Sequence, residues 1–68
     1  MELETTQLID CTGRATHTLT LMIDGSVRID VTAGPKVRYF PETGDTDPPH
    51  YVLPDSVIAA AHALRFSG

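Results

Sequence analysis

Cysteine is almost missing from this chain of 68 residues: Cys11 is alone, so no internal disulfide can staple the fold. A lone thiol also suits a reducing compartment better than an oxidising one, and a cytoplasmic protein is expected. Long hydrophobic runs are absent as well. No stretch approaches the roughly 20 apolar residues of a membrane span, and "MELETTQLID" has neither the basic nor the apolar region of a signal peptide, so no membrane association is expected. Positive charge is scarce and scattered. Arg14, Arg28, Lys36, Arg38 and Arg65 face nine acidic residues, for a formal net charge of -4. Binding to a phosphate backbone needs clustered Lys and Arg, which makes nucleic acid a disfavoured partner. Tryptophan and asparagine are lacking altogether, while Ala, Thr, Asp and Val are frequent. This usage resembles that of GC-rich bacterial genomes and their phages.

What is present is the composition of a globular chain: 41% apolar and 21% charged residues. One small α+β domain over residues 1–68 is expected. A core of this size supplies only about 3 to 5 kcal/mol, so a chain without disulfides gains from a metal or from a partner.

The spacing predicts a strand at "TTQLID", a turn at Gly13, and a hairpin over "THTLTLMIDGSVRIDV". Two hairpin registers compete. A two-residue loop at Asp24 and Gly25 sets Leu21 against Arg28 and Leu19 against Asp30, which mixes core with solvent positions. A three-residue loop of Ile23, Asp24 and Gly25, with Gly25 left-handed, sets Leu21 against Val27, Leu19 against Ile29 and His17 against Val31. The second register gives one apolar face and is the one predicted. "AGP" reads as a turn, since Pro35 lacks a donor and Gly34 tolerates unusual backbone angles, followed by a strand "KVRYF". "PETGDTDPPH", residues 41–50, reads as an irregular acidic loop, and "YVL" as a short edge strand. "PDSVIAAAHALRF" reads as a helix capped by Asp55 or Ser56. Its core stripe is Val57, Ala61 and Leu64, flanked by Ile58 and Ala60. The expected architecture is therefore an antiparallel meander of three or four strands with one C-terminal helix packed on one face.

Candidate chemistry is thin. "CTGRATH" resembles the opening of small zinc-ribbon proteins, in which C-x-x-C-G-R is followed by histidine. Thr12 stands where the second cysteine would be, and no other cysteine pair occurs. A closed zinc site needs four Cys or His ligands, and Cys11, His17, His50 and His62 share no paired spacing. No metal or other cofactor is expected, and Cys11 is read as a buried structural residue beside an ordinary turn. A thiol nucleophile would also need an oriented base and an oxyanion hole, neither of which is identifiable, so the chain is not expected to be an enzyme.

The surplus lies on the helix. Opposite the core stripe, Ala59, Ala63 and Phe66 recur at helical spacing with no charged residue among them, where a helix covering a small sheet ordinarily presents a polar face. The expectation is a non-catalytic protein–protein interaction module, self-associating or docking on another protein, with Ala59, Ala63 and Phe66 as contacts. Asp45, Asp47 and His50 of the 41–50 loop are added as further partner-binding residues. The alternative is a small-ligand or nucleic-acid binder that uses the Thr/Arg face of the sheet, with Arg14, Arg28 and Arg38 contacting anions and Tyr39 stacking.

Overall fold

Alternating apolar and polar residues become a five-stranded antiparallel sheet in simple sequence order, closed by one helix. The computed structural model describes residues 2–66. The strands are β1 (Glu2–Ile9), β2 (Ala15–Met22), β3 (Val27–Val31), β4 (Lys36–Phe40) and β5 (Asp45–Asp47), and the helix is α1 (Asp55–Phe66). The α+β class is as expected, but the sheet has five strands rather than three or four. The segment read as a wholly irregular loop contains β5, which pairs Asp47 with Arg38, Thr46 with Tyr39 and Asp45 with Phe40. "YVL" forms no strand. Pro49 and Pro54 confine it to the four residues 50–53, which leaves little length for a paired strand. Instead the Tyr51 N–H donates to Thr46 Oγ1 at 3.1 Å, Leu53 is buried, and Val52 is 88% exposed.

The first two hairpins share one turn geometry. In the β2–β3 turn, Met22 N–H donates to Ser26 O at 2.8 Å and Gly25 N–H to Met22 O at 3.0 Å. In the β1–β2 turn, Asp10 N–H donates to Arg14 O at 2.9 Å and Gly13 N–H to Asp10 O at 3.0 Å. Both are three-residue loops ending in a left-handed glycine, with φ of 85° at Gly13 and 89° at Gly25. The register that follows pairs Leu21 with Val27, Leu19 with Ile29 and His17 with Val31, as the face argument requires. Each loop is also pinned by an aspartate. Asp10 Oδ1 accepts from Thr12 N–H and Oγ1 and from Arg14 N–H, and Asp24 Oδ1 accepts from Ser26 N–H and Oγ. The β3–β4 turn falls where "AGP" predicts it. Its left-handed residue is Ala33, at φ 58°, rather than Gly34.

The core forms where α1 crosses the sheet. Val57, Ala61 and Leu64 pack on Leu19, Val27, Ile29, Val37 and Tyr39, with Leu53 closing one end. The helix begins on the carbonyl of Pro54, which accepts from Ile58 N–H at 3.1 Å, so Asp55 sits in the first turn and does not cap it. Its carboxylate still lies at the positive end of the helix dipole. At the other end, Arg65 Nη2 donates to Glu42 Oε1 at 2.6 Å and its guanidinium lies against Gly25, joining the helix terminus to two turns. No helix among the described residues is long and apolar enough to cross a membrane.

Candidate functional site

The helix presents its outer stripe as the 3.6-residue period requires. Ala59, Ala63 and Phe66 are exposed, Phe66 by 56%, while Ile58, Ala60, His62 and Arg65 form half-buried flanks. Phe66 is held from one side. The His62 ring stacks tilted against it at 5.8 Å between centroids, and the Arg65 guanidinium carbon lies 5.1 Å from its centre. His62 is itself fixed by the Tyr39 hydroxyl, 2.8 Å from its Nε2. A chain of contacts thus runs from the buried face of β4 to an aromatic ring in solvent.

The structure does not gather all the residues proposed for partner binding. In β5, Asp45 and Asp47 alternate with Thr46, whose partner Tyr39 faces the helix, so both carboxylates lie on the opposite face of the sheet from α1. His50 is exposed at φ 63° beside an open hollow of about 560 Å³ formed with Asp45, Thr46, Pro49 and Tyr51. The helix stripe and these three residues are separate surfaces.

The anion-binding constellation is divided too. Arg28 and Arg38 are directly paired across β3 and β4 on the outer face of the sheet, and Asp30 pairs with Lys36 beside them. Arg28 Nε lies 3.5 Å from Asp30 Oδ2, and Arg38 pairs with Asp47. The basic groups are therefore interleaved with carboxylates. Tyr39 is only 5% exposed and on the other face, where it serves the core, and Arg14 belongs to the β1–β2 turn. The stacking ring and the arginines do not meet.

Cys11 is exposed at the tip of the first hairpin rather than buried. Its turn is held by Asp10 and Gly13, and the thiol adds nothing to it. His17 is half-buried on the helix side of the sheet, with Nδ1 3.0 Å from Thr16 Oγ1. Among the described residues, no three His, Cys, Asp or Glu side chains come together to hold a metal ion.

One feature escapes the sequence reading. Between β1 and the flank of α1 lies an open groove of about 350 Å³, walled by Glu4, Thr6 and Leu8 on one side and Ala60, Ala63 and Leu64 on the other. It exists because the helix uses alanine where it crosses the first strand, and small side chains leave the space unfilled. The one available signal was the length of the strand-like N-terminal segment, which carries no proline or lysine. Comparison with protein-family models, curated proteins and solved structures finds no match.

Proposed function

We propose that this chain is a non-catalytic protein–protein interaction module that self-associates through the outer face of α1. The observation that carries this reading is the exposed stripe Ala59, Ala63 and Phe66, uninterrupted by any charged side chain and ending in an aromatic ring already oriented by His62 and Arg65. Alanines let a second backbone approach closely, and a pre-positioned aromatic ring loses little side-chain freedom on burial, which is how contact area and anchor are commonly divided at interfaces. A two-fold arrangement sets the stripe against itself, so that a single substitution acts twice per dimer.

Sedimentation velocity at micromolar concentration tests the reading. The wild type should sediment as a dimer. Ala59→Glu places two like charges in a desolvated contact and should give a monomer with an unchanged circular dichroism spectrum, because Ala59 takes no part in the core. Lys36→Glu, on the far face of the sheet, should leave association intact. A wild type that is monomeric throughout rejects the reading.

A further inference from the structure

The sheet has two edges, and the chain treats them differently. β5 is three residues long and runs directly into Pro48 and Pro49, which blunts that edge against further pairing. β1 is eight residues long, carries no proline or lysine, and has its irregularities only at its ends, between Glu2 and Glu4 and between Leu8 and Ile9. Its middle, Glu4 to Leu8, is regular. Asp10 exchanges backbone hydrogen bonds with the β2 side of the hairpin, and Leu8 O accepts from Thr16 Oγ1. By alternation, Glu4, Thr6 and Leu8 direct their backbone groups toward β2, so Thr5, Gln7 and Ile9 direct theirs away from the sheet. Among the described residues, no strand lies beyond them.

The same strand forms one wall of the groove against α1. A sixth strand added at this edge would alternate its side chains between the outer face and that groove, where Ala60 and Ala63 leave room and Leu8 and Leu64 supply apolar surface. Glu4 stands at the groove, and no basic side chain lines it among the described residues. A basic side chain on the incoming segment is the charge complementary to Glu4 there. A second copy is poorly suited to supply it: β1, "ELETTQLI", contains no Lys or Arg, and the chain carries a formal net charge of -4, which opposes its pairing with itself.

We infer that the β1 edge captures an extended basic segment of another protein as a sixth strand, with an arginine or lysine opposite Glu4 and alternate apolar side chains in the groove beside Ala60 and Ala63. Backbone hydrogen bonds from Thr5, Gln7 and Ile9 hold the segment, while the groove and Glu4 select its sequence. This surface is distinct from the outer helix stripe, although Ala63 borders both.

The test is an NMR titration of the labelled protein with a blocked peptide of about eight residues, in which arginine and leucine alternate with threonine. Amide resonances of Thr5, Gln7 and Ile9 should shift, and their hydrogen exchange should slow by about tenfold or more at saturation. Glu4→Lys should weaken the arginine peptide by about tenfold and transfer preference to the same peptide with glutamate in place of arginine. Gln7→Pro removes one outward donor without touching the ladder to β2, and should abolish binding while β2 to β4 keep their spectra. No perturbation at millimolar peptide overturns the inference, as does binding indifferent to both substitutions. Exchange protection that grows with protein concentration in the absence of peptide also overturns it, because the occupant is then a second copy. The Ala59→Glu variant separates the two proposals. It should bind the peptide like the wild type, so a failure of self-association leaves strand capture standing, and a failure of strand capture leaves the helix stripe as the remaining contact.

Discussion

Four turn residues carry more of the fold than their size suggests. Gly25 lies at φ 89°, and a Cβ there would stand 3.1 Å from Arg65 Nε. Gly25→Val therefore strains the backbone and displaces the side chain that ties α1 to Glu42. It should destabilise by about 1 to 2 kcal/mol or more in urea unfolding, despite valine's preference for strands. An unchanged midpoint would reject the strained, left-handed setting of Gly25 in the three-residue loop. Ala33 is the opposite case, an exposed alanine held at φ 58°. Ala33→Gly relieves that strain at some cost in unfolded-chain entropy and should stabilise by about 0.5 to 1 kcal/mol. The turn aspartates should contribute to the acid limb of stability. Asp10 is held below the ordinary aspartate value of 3.8 chiefly by the Thr12 hydroxyl, with the Arg14 and Thr12 amides adding to it. Asp24 is lowered chiefly by the Ser26 hydroxyl and then by the Ser26 amide. Groups whose folded value is depressed favour the native state above the unfolded value and lose that contribution as pH falls through the folded one. The double variant Asp10→Asn, Asp24→Asn should thus melt below the wild type near neutral pH, with the gap closing as pH falls below 3.8. A gap that persists in acid would show that the charge of these carboxylates is not what matters.

At the scale of elements, the hairpins were legible because each loop is written in glycine spacing and each register in apolar alternation. Leu19, Leu21, Val27 and Ile29 allow only one pairing that keeps a face dry. The helix was legible by the same logic at period 3.6. β5 was not, because "DTD" has poor strand propensity and depends on Tyr51 and on β4 to hold it extended. Gly44, at φ 79° and donating to Phe40 O at 2.7 Å, repeats the left-handed loop ending of Gly13 and Gly25 and was the usable clue. Cys11 was misread because burial of cysteine is a tendency of side chains, while its place here was decided by a turn that needs no side chain at that position. The groove was legible only through the length of the strand-like N-terminal segment. Which strand lies at an edge and how far α1 reaches across it are properties of strand order and packing. The contact between β4 and α1 adds a test of its own. Tyr39→Phe leaves the His62 Nε2 without its 2.8 Å partner and should cost about 0.5 to 1.5 kcal/mol. It should also loosen Phe66, visible as broadened ring resonances. A silent Tyr39→Phe would mean that water replaces the hydroxyl without loss.

For the whole molecule, stability and association are one question. A chain of 68 residues with one small core, no disulfide and no metal-ligating cluster among its described residues has little free energy in reserve. If the stripe self-associates as proposed, burying Phe66 and the two alanines adds to the folded side alone. Binding that exists only in the native state raises the melting temperature by mass action. For a domain of this size a roughly hundredfold rise in protein concentration should raise the wild-type melting temperature by about 10 °C. Ala59→Glu should melt lower and at a temperature independent of concentration, because its unfolding is unimolecular. The comparison isolates the helix stripe from strand capture, which requires a partner absent from the pure protein. If both proteins melt independently of concentration, the monomer is stable by itself, the self-association reading falls, and the open edge of β1 is left as the surface whose exposure still needs an occupant.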